Sequence, residues 1–490
     1  MPKFVILWTD ASVWLLVAAL VAYGLAVLRK PQLAANWAKV FRNASALASS
    51  LVLAACLLVT LLDSIHYRPR LSAPSVASLA SDASTAVAAP AYESRTRSVL
   101  DAVLWDLVSS RESTYSRPLS YLGFTKESVL VNGDVQRVAP RLDFGGRHLT
   151  DPETQWAADI TQRAALGLAG GLVLALMLNL ALLGAVARGK RQGLAYTWRE
   201  VRLRSTPVPW HVAMLTLTAM CIVGGTASAL SGPYHLLGTD MTGNDVLYQS
   251  LKSIRTAFVI GTLATVATLP LAVVLGVLAG YFKGWVDELV QYLYTVLSSV
   301  PNVLLIAACV LMVQVFLDKN PDLFETGAER ADLKLFLLCT VLGLTGWAGL
   351  CRLLRGETLK LRELDYVQAA TAFGVSHSRI MARHIFPNVA HLMLIVTVLE
   401  FSSLILYEAV LSYVGVGVDP SMNSFGGMIN LARQEMSRDP VVWWSFAAAF
   451  GFMVTLVLAA NLFADGVRDA FDPRASAFKR RRSLPANKAA

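Results

Sequence analysis

Long hydrophobic runs alternate with short polar segments along most of this chain. Each run has about 18 residues or more, which is enough to cross ~30 Å of hydrocarbon as a helix. The pattern predicts nine such helices, over residues 11–28, 44–62, 164–187, 211–230, 256–282, 289–316, 335–353, 389–410 and 441–464. We therefore predict an all-α polytopic membrane protein.

The spans fall into an N-terminal extension of about three and a core of about six. We predict five segments: two N-terminal transmembrane helices (1–63), an extramembrane insert (64–160), a third transmembrane helix with a basic linker (161–208), the core transmembrane domain (209–473) and a basic tail (474–490). The core is the part in which we look for function, because it contains most of the spans.

The insert is predicted to be a small α+β unit. Its residues 71–92 are rich in alanine, serine and proline, as linkers are. Apolar positions between Val99 and Val108 follow the helical period. Asn132-Gly133 separates two short apolar runs, and this dipeptide suits the tight turn of a β-hairpin. Two roles stay open for the insert: it docks a partner or caps an opening, or it is a passive addition.

Composition and charge agree with a membrane protein and indicate its orientation. Hydrophobic residues make up 55% of the chain and charged residues 16%, against about a quarter charged in soluble domains. The net charge is +9, and basic residues concentrate around 188–204, 352–383 and 479–482. Basic loops face the cytoplasm, so we predict a membrane protein with its C-terminus inside and its N-terminus and insert outside. The charge is then a topology signal and not a nucleic-acid-binding surface.

The sequence shows no catalytic or metal-binding pattern. The five cysteines fall in apolar spans without C-x-x-C spacing, and no set of His, Asp or Glu has ligand spacing. Residues 184–191, GAVARGKR, fit G-x-x-x-x-G-K, but Arg191 replaces the Ser or Thr that binds magnesium, and no strand precedes the motif. We therefore predict that this chain holds no cofactor of its own and is not an enzyme.

A polar segment, residues 365–388, lies between the seventh and eighth spans. Its first half is rich in good helix formers, including three alanines. Gly374 stands where a helix end favours a left-handed residue. Ser376 is a natural N-cap for a second helix, and Pro387 marks the junction with the next span. The pattern predicts a helix–glycine–helix elbow on the cytoplasmic surface, suited to a groove in a partner.

The elbow resembles the E-A-A-x3-G … I-x-L-P motif of the membrane subunits of binding-protein-dependent ABC importers. Its DYV opening and IFPN close are similar to the C-type permease subunits of the dipeptide, oligopeptide and nickel group. Gln368 replaces the glutamate of the motif and His384 its isoleucine. The resemblance implies that the elbow is a coupling helix that docks on an ATPase subunit. The residues assigned to it are Asp365, Tyr366, Gln368, Ala369, Ala370, Gly374, Arg379, Arg383 and Pro387.

Other motifs follow in the order of that family. Residues 237–247, LGTDMTGNDVL, resemble its outside-facing LGTDxxGRDVL motif, with Asn244 replacing the arginine. Segments 276–290, 408–420 and 464–473 resemble three later motifs. The residues assigned to the outside motif are Gly238, Thr239, Asp240, Gly243 and Asp245. The resemblance covers roughly half of the chain and leaves the first ~200 residues outside it.

Four residues are candidates for lining or gating a pathway through the membrane. They are Tyr292, Pro301, Glu400 and Glu408. Acids inside a membrane are costly and usually face a cavity or a partner; an acid hydrogen-bonded between packed helices is the structural alternative. Tyr292 and Thr295 stand where the family often has an arginine and an acid, so no ion pair joins these two positions.

The resemblance implies a type I ABC importer core in a bacterial inner membrane, assembled with other chains. A second permease subunit completes such a pathway, two ATPase subunits bind ATP and magnesium on the inside, and a solute-binding protein delivers the substrate outside. The family group implies peptides as the substrate class. A self-sufficient ion-coupled secondary transporter, using Glu400 and Glu408, is the alternative from another class. A membrane sensor is a third, but the sequence contains no output domain.

Overall fold

The computed structural model describes residues 3–70, 92–93, 96–131 and 134–471. Its helices are α1 (Trp8–Arg29), α2 (Pro31–Val40), α3 (Ala44–Asp63), α4 (Val99–Val103), α5 (Trp105–Ser109), α6 (Pro152–Lys190), α7 (Leu194–Arg202), α8 (Trp210–Ser231), α9 (Val246–Phe282), α10 (Gly284–Ser299), α11 (Asn302–Lys319), α12 (Gly327–Arg362), α13 (Asp365–Ala372), α14 (His377–Ile380), α15 (Phe386–Tyr413), α16 (Phe425–Glu435) and α17 (Trp444–Phe471). A 3-10 turn (Pro321–Leu323) and a π turn (Met381–Ile385) add to these. The strands are β1 (Lys3–Val5), β2 (His66–Arg68), β3 (Arg97–Ser98), β4 (Glu127–Val131) and β5 (Asp134–Val138).

Nine helices among the described residues are long and apolar enough to cross a membrane. They are α1, α3, α6, α8, α9, α11, α12, the continuous stretch through α14 and α15 (His377–Tyr413), and α17. The predicted all-α membrane fold and number of spans are confirmed. One predicted span was wrong in its bounds, because residues 289–316 form two helices, α10 and α11.

Pro301 explains the division between α10 and α11. A proline has no backbone N–H, and its ring disfavours the helical conformation of the residue before it. Val300 accordingly has an extended backbone, with φ −93° and ψ 135°. The sixth span is therefore the 18-residue helix α11 alone, and α10 is an additional helix next to it.

Helices α9 and α12 pack along each other and form the centre of the core. Two glycines of α9 allow this contact: a Cβ on Gly276 would lie 2.9 Å from the Cys351 carbonyl oxygen, and one on Gly280 would lie 2.7 Å from the Arg355 carbonyl oxygen. This G-x-x-x-G pair therefore serves packing within the chain, as small residues do between membrane helices. Helices α15 and α17 pack against α9, and α16 lies against both of them.

We call the two ends of this bundle the insert end and the elbow end. The insert end carries the described residues of segment 64–151, the α8–α9 loop and the α11–α12 loop, and the elbow end carries α13 and α14. Strand β1, from the N-terminus, also lies at the insert end, where Lys3 pairs with Arg68 of β2. Strand β3 pairs with β2 on its other side, so the antiparallel order is β1-β2-β3.

The insert has the expected α+β content in its described residues. Strands β4 and β5 form the predicted antiparallel hairpin, with Glu127 opposite Val138 and Val131 opposite Asp134. The Asn132-Gly133 turn and the linker segment 71–91 lie outside the described residues. The helix predicted around 99–108 was wrong in detail, because two short helices, α4 and α5, meet there at Leu104.

The N-terminal extension packs directly on the core. Helix α3 lies against α9 and α17. At the elbow end, the indole of Trp37 in α2 stacks on Phe463, with ring centroids 6.4 Å apart, and meets Phe471 edge to face at 5.6 Å. Large apolar side chains of the extension therefore cover part of the α17 surface.

Helices α6 and α8 form a close antiparallel pair. A Cβ on Gly171 would lie 2.5 Å from the Cys221 carbonyl oxygen, and one on Gly225 would lie 2.6 Å from the Gly167 carbonyl oxygen. These glycines let the two backbones approach, which is a common way for membrane helices to associate. Helix α8 also packs along α3, which joins the pair to the rest of the bundle.

Candidate functional site

The elbow has the helix–glycine–helix form that its sequence predicts. Helix α13 ends at Ala372, and Gly374 has a left-handed backbone with φ +71°. The Gly374 N–H donates to the Thr371 carbonyl at 3.0 Å, and the Val375 N–H donates to the Ala370 carbonyl at 3.1 Å. This pair of bonds is the Schellman motif that ends many helices, so the glycine sets the direction in which the chain leaves α13.

The second half of the elbow runs without interruption into the eighth span. Ser376 is the N-cap residue of α14, as predicted, although its side chain makes no capping hydrogen bond among the described residues. The chain continues from His377 through the π turn into α15. Pro387 lies directly after the π turn, near the start of α15.

Buried apolar side chains hold the elbow against the ends of the core helices. Val367, Ile380 and Ile385 belong to one buried cluster with residues of α9 and α12. The Tyr281 hydroxyl lies 2.8 Å from His377 Nδ1, and Arg362 donates to the Tyr281 carbonyl at 2.6 Å. The elbow is thus fixed to α9 and α12 and is not a free loop.

The outer surface of the elbow is aromatic and basic. Phe373 is 86% exposed and lies at the tip, directly before Gly374. Arg379 and Arg383 are exposed and make no ion pair among the described residues. The other exposed residues assigned to this surface are Asp365, Tyr366, Gln368, Ala369 and Pro387, and Ala370 is half-buried. The surface therefore offers the almost fully exposed side chain of Phe373 together with two positive charges that have no acidic partner among the described residues.

A cavity of about 610 Å³ opens beside the elbow. Its lining residues are Tyr281, Phe282, Arg362, Glu363, Gln368, Thr371, Ala372 and His377. It lies between α13 and the ends of α9 and α12, so a group that enters it contacts the elbow and two spans together. Gln368, which replaces the glutamate of the family motif, lines this cavity and donates to the Glu363 carbonyl at 3.2 Å.

An ion pair that the sequence did not reveal joins α10 to α12. Arg355 contacts Asp287 through two nitrogens, and Nη2 lies 2.7 Å from Oδ2. The Arg355 guanidinium lowers the pKa of the Asp287 carboxyl. The predicted lack of an ion pair concerned Tyr292 and Thr295, and Tyr292 is indeed 67% exposed on the other side of α10. Pro301 is exposed as well, at the break that follows α10.

The two membrane acids have different surroundings. Glu408 is 1% exposed, and its Oε1 accepts a hydrogen bond from Ser412 at 2.7 Å. A Cβ on Gly426 of α16 would lie 2.9 Å from that oxygen, so Glu408 is enclosed between α15 and α16. This arrangement supports the structural alternative for Glu408. Glu400 is half-buried and makes no hydrogen bond or ion pair within the described part of the chain; a pathway role for it stays a prediction.

The outside motif is a compact turn that begins α9 at the insert end. Gly238 and Gly243 have left-handed φ values of +73° and +78°. Asp240 Oδ1 accepts from the Thr242 and Asn244 N–H groups at 2.8 and 2.9 Å. Asp245 caps α9 through the Leu247 N–H at 2.8 Å and the Tyr248 N–H at 3.1 Å. These motif residues therefore hold the shape of the turn.

The insert is hydrogen-bonded to this turn. The Ser116 N–H donates to the buried Thr239 hydroxyl at 2.6 Å, and the Thr239 N–H donates back to the Ser116 carbonyl at 3.2 Å. The Glu112 N–H donates to the Gly243 carbonyl at 3.0 Å. Trp444, which begins α17, donates from its indole to the Thr239 carbonyl at 3.0 Å. The insert, the motif and α17 thus form one packed unit.

A buried imidazole between two carboxylates lies at the centre of this unit. His235 Nδ1 is 2.8 Å from Asp245 Oδ2, and Nε2 is 3.3 Å from Glu112 Oε1. Glu112 also accepts hydrogen bonds from the N–H groups of residues 143, 144 and 145, all at 2.9 to 3.0 Å. All three side chains are at most 2% exposed. Sequence alone gave no signal for this cluster, since Glu112 and His235 are 123 residues apart.

The pKa values of this cluster follow from its hydrogen bonds. Burial alone lowers the pKa of His235, but the hydrogen bonds and charges of Asp245 and Glu112 outweigh it and raise the pKa to about 9. Burial alone raises the pKa of Glu112, but the bonds from His235 and the three backbone N–H groups lower it to about 2. At neutral pH the imidazolium therefore neutralises part of two buried negative charges.

We expect the thermal stability of the protein to fall as the pH rises through about 9. The ordinary pKa of histidine is 6.5, so the stabilising effect of His235 is fully present below that pH and is lost through the raised pKa of the folded state. The effect of Glu112 is lost at the other extreme, as the pH falls from 4.5 towards about 2. Measuring the midpoint of thermal unfolding in mild detergent from pH 6 to 10 tests the expected loss of stability at high pH.

Two substitutions separate this effect from general alkaline damage. His235→Gln removes the titrating group and is expected to flatten the decline between about pH 7 and 9. His148→Gln, at a more exposed histidine of the insert end that pairs with Asp159 at 2.8 Å, is the matched control and should keep the decline. The same decline in the His235→Gln protein would contradict the assignment.

Comparison with known proteins finds relatives for the part of the chain that contains the elbow and most of the core. A family model described as "Binding-protein-dependent transport system inner membrane component" matches residues 272–477. The oligopeptide transport system permease protein OppC of Mycobacterium tuberculosis H37Rv is 32% identical over 249 residues, which cover 51% of this chain and 79% of that protein. The protein of the same name from Haemophilus influenzae is 31% identical over 269 residues, which cover 55% of this chain and 79% of that protein.

A further relative and a solved structure have similar coverage. The glutathione transport system permease protein GsiD of Pectobacterium atrosepticum is 30% identical over 240 residues, covering 49% of this chain and 73% of that protein. A structure titled "Inward facing conformations of the MetNI methionine ABC transporter" covers 46% of this chain and 96% of that chain, at 17% identity and a TM-score of 0.33. On the strength of the sequence relatives, this chain belongs to the family of binding-protein-dependent transport system inner membrane components.

Proposed function

We propose that this chain is the membrane-spanning permease subunit of an ATP-driven importer and that its elbow is the docking site for an ATPase subunit. The observation that carries the proposal is the elbow itself. Its inner side is buried against α9 and α12, while its outer side presents Phe373, Arg379 and Arg383. A surface whose inner side is packed against the core and whose outer side exposes a large aromatic side chain and charged groups has the character of a docking site.

The elbow is connected in a way that can carry motion into the membrane. Helix α12 ends at Arg362, three residues before α13 begins, and α14 continues through the π turn into α15. A displacement of the elbow therefore acts on two spans at once, and through the α9–α12 packing it also reaches the centre of the core. ATP binding by the partners would shift the population between two orientations of these spans, because it stabilises one of them. ATP and magnesium stay with the ATPases in this mechanism.

We propose peptides as the substrate class. The support is that relatives of this chain are named as permeases for oligopeptides, dipeptides and glutathione. The other partners in the proposal are a second permease subunit, a second ATPase subunit, and a solute-binding protein at the insert end. The elbow end would face the cytoplasm of a bacterial inner membrane, since the basic loop between α6 and α8 lies at that end together with the elbow.

A tagged purification in mild detergent, followed by mass spectrometry, tests the assembly. We expect ATPase subunits and a second permease to copurify with the unchanged chain. Phe373→Ser is expected to lose the ATPases and keep the second permease. Leu431→Ser is the matched control, since Leu431 is 60% exposed on α16 at the opposite end. This variant should keep both the ATPase subunits and the second permease.

An outcome in which the chain purifies alone would overturn the proposal. Glu400, which is half-buried and has no partner among the described residues, then becomes the observation that favours the ion-coupled transporter. A Glu400→Gln variant in proteoliposomes would test it, because transport driven by an ion gradient without ATP should disappear with that carboxylate.

A further inference from the structure

The loop between α6 and α8 lies at the membrane surface, outside the region matched by the family model. The apolar part of α6 ends directly before Arg188, and α8 starts at Trp210. Leu183 of α6 and Met214 of α8 share a buried cluster, so the two spans reach the elbow end side by side. Both ends of the loop are therefore fixed where a span leaves the hydrocarbon, and helix α7 between them lies at the level of the lipid headgroups.

Helix α7 is held in place on one face. Thr197 and Val201 are buried, and Val201 packs against Leu183 and Met214. Lys190, at the end of α6, contacts the Glu200 carboxylate at 2.6 Å. These contacts give α7 a defined orientation on the ends of the two spans.

The flanks of α7 carry apolar and aromatic side chains that no described residue covers. At 100° per residue, Leu194 and Trp198 lie on one side of the buried face and Tyr196 lies on the other. Trp198 is 50% exposed and Tyr196 57%. Leu203, directly after the helix, is exposed too. Tryptophan and tyrosine at the boundary of a span are typical of the membrane interface, and an amphipathic helix of this kind lies in the interfacial plane.

The remaining face of α7 is strongly basic, as are the residues directly before and after the helix. Five arginines of the loop are exposed and make no ion pair or hydrogen bond to an acid in the described part of the chain. They are Arg188, Arg191, Arg199, Arg202 and Arg204. The only acid of the loop, Glu200, is already paired with Lys190. Guanidinium groups match the geometry of phosphate oxygens and bind them through two hydrogen bonds, so this face complements a layer of phosphodiesters.

We propose that the basic loop, residues 188–204, is a binding site for anionic phospholipids in the leaflet at the elbow end. The arginines bind the headgroup phosphates, and Trp198, Tyr196 and the two leucines enter the boundary with the acyl chains. The proposal goes beyond the transport function and does not depend on it. Clusters of basic residues next to a span or on an amphipathic helix are a known means of attracting anionic lipids.

Native mass spectrometry of the purified full chain, titrated with phosphatidylglycerol or phosphatidylcholine, tests this. Each basic residue near an anionic surface strengthens binding about fivefold. Arg188/Arg199/Arg202→Gln is therefore expected to weaken phosphatidylglycerol binding by roughly tenfold or more and to leave phosphatidylcholine binding unchanged. Arg188/Arg199/Arg202→Lys, which keeps the charge, should retain most of the affinity.

The matched control removes the same charge at the other end of the molecule. Lys126/Arg137/Arg147→Gln changes three exposed basic residues of the insert that make no ion pair among the described residues. It should leave phosphatidylglycerol binding unchanged. An equal loss in both triple variants would mean that net charge alone attracts the lipid, and it would overturn the site.

Three further outcomes would overturn the proposal. If the unchanged chain binds both lipids equally, the basic loop acts only during membrane insertion as a topology signal. If millimolar glycerol phosphate displaces phosphatidylglycerol, the site is one for a soluble anion and not for a membrane lipid. Retained lipid affinity together with loss of a copurifying protein would assign the loop to a protein partner.

Discussion

Replacing Gly374 with valine is expected to abolish ATP-driven transport while leaving membrane insertion intact. A Cβ at this position would have open space, with no atom within 4 Å, so the effect comes from the backbone. Gly374 has φ +71°, a conformation that a β-branched residue adopts only with strain of about 1–3 kcal/mol. That strain lowers the equilibrium constant for the native elbow by roughly 5- to 150-fold and favours conformations without the two Schellman bonds that orient it.

The matched control is Gly374→Asn. Asparagine tolerates the left-handed region and has a side chain of similar size, so we expect this variant to keep the elbow geometry and most of the transport activity. Peptide uptake into proteoliposomes with the assembled complex measures the difference, and immunoblotting of membranes checks insertion. Normal uptake by the valine variant, or an equal loss in both variants, would refute the role of the glycine.

The second large effect is expected for Arg255→Met. Arg255 of α9 is buried at the insert end, where Nη2 donates to Asp10 Oδ1 at 2.6 Å and to the Thr9 hydroxyl at 2.8 Å. Asp332 of α12 lies 3.8 Å from the same nitrogen. Removing the cation leaves two buried carboxylates close together, and breaking a buried pair in this way costs about 3–5 kcal/mol. The loss of stability can be measured as the fraction of protein that is no longer monodisperse after heating in detergent.

A double variant distinguishes lost charge balance from lost packing. Asp10→Asn removes one of the carboxylates that Arg255 neutralises, so Arg255→Met/Asp10→Asn should be more stable than Arg255→Met alone. A purely structural role of the arginine side chain predicts additive losses instead. The result also measures how strongly the N-terminal extension is bound to the core, because Asp10 belongs to α1 and Arg255 to α9.

The membrane fold is a local property of this sequence and could be predicted from it. A hydrophobic run of sufficient length is stable in lipid only as a helix, because every backbone group must find its hydrogen bond within the segment. For the same reason of locality, the left-handed Gly374 and the β4–β5 hairpin were predictable. Even the break at Val300, which the span prediction missed, has a local cause in Pro301.

The tertiary structure decided which polar groups meet. Glu112 pairs with His235, Arg255 with Asp10, and Asp287 with Arg355, at separations of 123, 245 and 68 residues. No local pattern specifies such partners, since each pairing depends on how whole helices pack. The surroundings of Glu408 were decided in the same way, because only the position of α16 shows that its carboxylate is enclosed.

Sequence by itself thus determined where this chain crosses the membrane, where its elbow turns and which family it resembles. The structure decided that the insert, the outside motif and α17 form one unit and that the N-terminal extension is bound to the core by buried charge. The physical reason is the range of the interactions. Hydrophobic period and backbone conformation act over a few residues, whereas a buried ion or hydrogen bond is defined only when distant segments have been brought within about 3 Å of each other.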